Sequence, residues 1–148
     1  MASDQVHGIG PQVKMAIGVV PAARTAGTTN GTGFDRRGFQ SCVLEAVTGA
    51  ATGGPSAQTL DVKLQHSDSS GSGYTDFVPV SGVAASGAVA QITADSTRKR
   101  KSIDLSGAKQ YIRAVAVVAL TGGTSPTLPC AASIVLGGAV EMPAQSDD

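Results

Sequence analysis

The chemistry-bearing side chains of this 148-residue chain are few: two histidines, two cysteines and one run of four bases. His7 and His66 stand far apart, and neither has a Cys, Asp or Glu at ligand spacing. Both read as surface or turn residues, and no metal site is expected. Cys42 and Cys130 each sit beside an apolar run. Met1 to Gln5 offer no positive n-region and no apolar stretch, so no secretory signal is expected and the cysteines read as buried free thiols. Burial raises a thiol pKa, which argues against a cysteine nucleophile. Asn30-Gly31-Thr32 fits a glycosylation sequon, which matters only in a secretory pathway.

Gly33-Phe34-Asp35-Arg36-Arg37-Gly38 has the glycine spacing of a phosphate loop. It is followed by Phe39-Gln40 instead of Lys-Ser/Thr, and by a strand pattern instead of a helix, so that reading fails. Asp68-Ser69-Ser70-Gly71 lacks the further acids of a calcium loop and reads as a turn. No serine occupies a Gly-x-Ser-x-Gly elbow between strand and helix. The expectation is therefore a protein that is not an enzyme, with no cofactor and no small-molecule substrate.

Arg98-Lys99-Arg100-Lys101 is the one charge cluster. On a strand its members alternate between faces, so at most two share a side. Such a run suits an edge strand, where bases discourage unwanted pairing, or a contact with an acidic protein surface. Lys+Arg and Asp+Glu are 11 each and aromatics are 3%. Zero net charge and few stacking rings argue against nucleic acid as a partner.

The elements that must position these residues are all strand-like. Val13 to Val20 places Val13, Met15, Ile17 and Val19 on one face, and Pro21 ends it. Residues 25–38 read as a Thr/Gly-rich loop with an Asn30-Gly31 turn. Phe39 to Val47 is an apolar strand. Leu60, Val62 and Leu64 alternate with Asp61, Lys63 and Gln65, the mark of a sheet dry on one face and wet on the other. Tyr74 to Val80, Gly87 to Thr93, Arg98 to Leu105, Tyr111 to Leu120 and Ala131 to Gly137 follow, separated by turn signals. The two Tyr and three Phe read as core or hairpin anchors. The expected core includes Leu60, Val62, Leu64, Ile112, Val118, Ile134 and Leu136.

About eight short strands and no sustained 3.6 period predict an all-β fold: an antiparallel β-sandwich, jelly-roll-like. The expected organisation is an N-terminal extended arm over residues 1–12, a sandwich over 13–138 and a tail over 139–148. Tyr111 to Leu120, the most apolar stretch, carries Arg113 and is about half the length of a spanning helix, so no membrane partner is expected.

Thr59 to Val80, Ser102 to Val118 and Leu120 to Ala139 together form a pattern. A strand of alternating apolar residues leads into a Ser-Asp turn. Then come the corner Asp104-Leu105-x-Gly107-Ala108-Lys109-x-Tyr111-Ile112-Arg113 and a closing Leu136-Gly137-Gly138. With Gly33 to Phe39 upstream, roughly residues 33–139 resemble small structural proteins of tailed bacteriophages. They are similar to capsid decoration (cement) proteins of the β-sandwich kind. The resemblance implies a virion structural protein on the capsid exterior, assembled in the host cytoplasm. Its implied partners are the major capsid protein and itself, as dimer or trimer. Tail, baseplate or fibre components share such sandwiches and are the alternative; a carbohydrate-binding module is a further one. Candidate capsid or subunit contacts are Val6, Ile9 and Pro11 of the arm, Arg36 and Arg37, and Arg98, Lys99, Arg100 and Lys101.

Overall fold

The structure, a computed structural model, describes residues 9–78 and 88–139. Its strands are β1 (Lys14–Arg24), β2 (Gly27–Asn30), β3 (Phe34–Asp35), β4 (Phe39–Thr48) and β5 (Ala57–Ser67). They continue with β6 (Thr75–Asp76), β7 (Ala88–Ile92), β8 (Arg98–Asp104), β9 (Tyr111–Thr121) and β10 (Leu128–Ala139). One sheet has the order β1-β10-β4-β8, and the other β2-β9-β5-β6, with β3 also on β9 and β7 also on β5. Both pairs of short strands are one strand position broken in two: β2 and β3 share the β9 edge, and β6 and β7 share the β5 edge. Counted that way, eight positions run 1-8-3-6 in one sheet and 2-7-4-5 in the other, all antiparallel. That is the double Greek key of a jelly roll.

Alternation builds the core. Leu60, Val62 and Leu64 of β5, Ile112 and Val118 of β9, and Ile134 and Leu136 of β10 are all buried between the sheets, with Leu44 and Leu128 beside them. Burying each such side chain contributes about 1.5–3 kcal/mol. Phe39 and Phe77 join this core, and Phe34 packs at its margin. Tyr74 and Tyr111 do not; both are half-buried.

β1 departs from the period-two expectation. Its register against β10 shifts between Ile17 and Val19 and again between Val19 and Ala22. A bulge inserts a residue and exchanges the faces beyond it. Val19 is therefore buried while Met15 and Ile17 are 72% and 64% exposed. Pro21 does not end the strand, which runs on to Arg24. An edge strand tolerates proline because no neighbour needs its N–H.

Other segments differ from expectation in extent. Residues 25–38 contain β2 and β3 as well as turns. The Tyr74 to Val80 strand reduces to Thr75–Asp76 within the described residues, and Pro79 and Val80 lie outside them. β10 begins at Leu128, three residues before the expected start at Ala131. Of the N-terminal arm, residues 1–8 lie outside the described residues. Gly10–Gln12 form one tight 3-10 turn instead of extended chain, with the Gln12 N–H donating to the Ile9 carbonyl at 2.9 Å.

The corner after β8 shows why its residues take that order. The Asp104 carboxylate accepts from the Ser106 N–H at 2.8 Å. Gly107 adopts φ +82°, which favours glycine. The Ala108 N–H closes the turn onto the Leu105 carbonyl at 2.9 Å.

Candidate functional site

Among the described residues, no three His, Cys, Asp or Glu side chains converge as a metal-ligand set. Cys42 and Cys130 are buried free thiols. Burial pushes Cys42 up to about 12. It also raises Cys130, though the Arg24 guanidinium pulls the other way. Neither is poised to ionise. The chemistry to examine is that of the two outer sheet faces, which differ.

The outer face of the β5/β9 sheet is wet and internally satisfied. Gln91 Nε2 donates to Asp61 Oδ1 at 2.8 Å. Lys63 Nζ and Gln65 Nε2 both donate to the Asp76 carboxylate at 2.8 Å. These bonds, Lys63 first, hold the Asp76 pKa below its ordinary value. Arg113 donates to Gln65 Oε1 through Nε at 2.9 Å and Nη2 at 2.7 Å, and its guanidinium carbon lies 4.2 Å from the Tyr74 ring centroid. The β5 edge of this face thus carries polar cross-strand partners, as a solvated sheet face should, while β9 contributes Val115, Val117 and Ala119 beside them.

The outer face of the β1/β10/β4 sheet is dry in character. Register fixes its rows. Met15 lies beside Val135, then Val43, then Ser102. Ile17 lies beside Ser133, then Glu45, then Arg100. Past the bulge, Ala131 lies beside Val47, then Arg98, and a groove there is lined by Ile17, Pro21, Val47 and Ala131. Val20 is 62% exposed and Val47 40%. Met15, Ile17 and Val47 are thus large apolar side chains facing outward from one sheet, and Val20, within the second register shift of β1, is exposed as well. Three strands and the Met15 to Pro21 length span roughly 300 Å² of sheet face, with Ser133 and Glu45 set among the apolar side chains.

The expected contact residues fall into three places. Val6 lies outside the described residues. Ile9 is exposed just before the 3-10 turn that contains Pro11. Arg36 and Arg37 occupy the β3–β4 turn. Arg36 serves the fold: its Nε donates to the Lys109 carbonyl at 2.9 Å, Nη1 to the Phe39 carbonyl at 3.2 Å and Nη2 to the Ala108 carbonyl. Arg37 pairs with Asp35 at 2.7 Å and is open to solvent. Burial alone would raise the Asp35 pKa, but hydrogen bonds from Arg37 and Gln110 outweigh it and hold it low. Arg98 to Lys101 form β8, the edge of the dry-faced sheet, with Arg98 and Arg100 on its outer face and Lys99 and Lys101 on the other. Among the described residues none of the four is ion-paired.

Strict alternation puts Met15, Ile17 and Val19 on one face; the structure separates them, because the register shift at Gly18 sends Val19 inward and leaves Met15 and Ile17 outward, and a bulge leaves no mark in the apolar pattern beyond Gly18 itself.

No family model matches this chain, and no curated protein matches it. A solved structure of the infectious bursal disease virus Gx strain aligns over 90% of this chain at 13% identity, with a TM-score of 0.40. This chain spans 35% of that one.

Proposed function

We propose that this chain is a non-enzymatic structural protein of a phage head, which sits on the outer capsid surface and cements neighbouring major capsid proteins. The observation that carries this reading is the contrast between the two outer faces: one is bridged by side-chain hydrogen bonds, while the other displays Met15, Ile17, Val43 and Val47 around Ser133 and Glu45. A sheet face of that kind gains free energy only when another protein covers it. At about 300 Å² it is well below the roughly 800 Å² per partner of a stand-alone interface. Many weak copies held by capsid symmetry give cementing strength without one strong site. The phage resemblance of residues 33–139 supplies the identity of the assembly.

The test is co-sedimentation with capsids that lack the protein. Saturable binding at a fixed ratio to the major capsid protein, with raised capsid resistance to heat, is the expected result. No binding to such capsids removes the head reading and favours a tail, baseplate or fibre part. The carbohydrate-binding alternative has one point in its favour, since folding gathers Asp61, Gln65, Asp76 and Gln91 on one sheet face. Those groups already bond to one another or to Lys63 and Arg113, so a sugar would have to displace satisfied partners.

A further inference from the structure

We infer that the free edge of β8 takes an added β-strand, an extended acidic segment of another protein. This edge is a surface distinct from the apolar outer face, and it offers backbone as well as charge.

Among the described residues the sheet edges differ in regularity. β1 carries two register shifts and Pro21. The edge formed by β2 and β3 breaks at Gly31 to Gly33. The edge formed by β6 and β7 consists of strands of two and five residues. Bulges, prolines and short strands spoil an edge for further pairing. β8 has none of them and runs seven residues in unbroken register with β4. That pairing leaves a defined set of groups free. The Leu105 N–H donates to the Gln40 carbonyl, and the Thr48 N–H to the Thr97 carbonyl, both at 2.9 Å. Antiparallel bonds fall on alternate residues, so the odd-numbered residues of β8 turn their backbone toward β4. Arg98, Arg100, Ser102 and Asp104 turn theirs outward, and among the described residues no backbone group meets them. Strand addition to such an edge draws its affinity from main-chain hydrogen bonds and its specificity from the side chains.

Charge selects the occupant. Arg98, Lys99 and Arg100 are exposed and Lys101 is half-buried, and none of the four is ion-paired among the described residues. Glu45 is the cross-strand neighbour of Arg100, and Asp104 is engaged by the Ser106 N–H. A second β8 laid antiparallel sets bases against bases, which cross-strand pairing disfavours. The edge therefore repels its own copy and admits a strand of opposite charge. Single-stranded nucleic acid fits less well. The outward carbonyls alternate with the N–H donors and repel phosphate, and β8 carries no aromatic ring for a base to stack on. In register, acids face Arg98 to Lys101, and an apolar residue faces Ile103, which is buried.

The probe is an acetylated, amidated peptide, Thr-Val-Thr-Glu-Glu-Glu-Glu, which laid antiparallel spans Asp104 to Arg98. Titration of the full-length protein, followed by amide NMR, reads both affinity and place. The peptide should bind saturably and protect the Arg100 and Ser102 amides from exchange. Methylating its two backbone nitrogens opposite Arg100 and Ser102 keeps the charge but blocks pairing, and should raise the dissociation constant at least about tenfold. Methylation opposite Lys99 and Lys101, where the N–H points away from β8, should change it far less. Arg98→Glu/Arg100→Glu should lose the acidic peptide and gain its counterpart with four lysines, a reversal that also shows the variant is folded. No binding at millimolar peptide, equal binding of both methylated peptides, or a variant that binds like the parent would overturn the inference. So would a thymidine oligonucleotide that binds as tightly as the peptide. Capsids take no part in this test, so its failure is separable from failure to bind a head.

Discussion

Gly31 lies against the carbonyl of Gly18: a β-carbon added at Gly31 would stand 1.8 Å from the Gly18 oxygen and 2.7 Å from that of Ala114. The Gly31 N–H donates to the same Ala114 carbonyl at 2.8 Å. The β2–β3 link is thus pinned to the β1 bulge, and with it the sheet edge where Met15 and Ile17 turn outward. Both atoms it would strike are backbone, so no side chain can swing away. Gly31→Ala is expected to cost about 1–3 kcal/mol or more, as forced overpacking does. Gly71→Ala, where nothing lies within 4 Å, should stay within about 0.5 kcal/mol. Urea unfolding of both variants checks this, and equal stabilities would refute the close approach.

Leu64 is fully buried between the sheets. Leu64→Ala removes its transfer free energy and leaves a cavity, for a loss of about 2–5 kcal/mol. A measured loss under about 0.5 kcal/mol would contradict the placement of β5.

Ile17 presents the opposite case. Thr is also β-branched and fits a strand, so Ile17→Thr on an exposed face should change stability by no more than about 0.5 kcal/mol. It should nonetheless weaken capsid binding, because it removes apolar area from the outer face. Thermal unfolding together with sedimentation separates the two effects. A variant that associates as tightly as the parent would mean the patch is not covered.

The alternation of Leu60 to Leu64 was readable because β5 is regular and has one wet face. The outer patch was not, because Gly18 carries no side chain and its bulge is visible only in the pairing with β10. β2 hid for another reason. Gly27-Thr28-Thr29-Asn30 has no apolar alternation, and it is held by backbone pairing to Val115 through Val118. The role of Arg36 depends on a corner far along the chain, which no local pattern announces.

His66 sets a pH dependence. Burial first, and then the Lys109 charge, hold its pKa below 6.5. Its Nδ1 accepts the Lys109 N–H at 3.2 Å, which a protonated ring cannot do. The unfolded chain therefore binds more protons than the folded one just below pH 6.5. His66 contributes stability that is complete above that value and is lost as pH falls through the lower folded pKa. Asp35 and Asp76, held low, lose theirs only in the more acidic carboxylate range. Stability measured from pH 7.5 to 5 should decline in the parent and stay flatter in His66→Asn. Parallel curves would remove His66 from the effect.

Arg36 is expected to resist its conservative replacement. Its guanidinium reaches the carbonyls of Phe39, Ala108 and Lys109 at once, tying the β3–β4 turn to the corner between β8 and β9. The donors are fixed in one plane, so a single rotamer satisfies three acceptors with little further ordering. A lysine ammonium is a single point on a flexible stem and cannot span carbonyls on opposite sides of the turn. A hydrogen bond from a charged donor contributes about 1.5–3 kcal/mol net, and the half-buried position lowers that. Arg36→Lys should therefore lose about 1–3 kcal/mol, close to the loss in Arg36→Ala, whereas a purely electrostatic role would leave the lysine variant near the parent. Chemical denaturation of both variants distinguishes the cases. If lysine restores most of the stability, charge and not the fork holds the corner, and the order Asp104 to Arg113 owes its shape to the Asp104 turn and Gly107 alone.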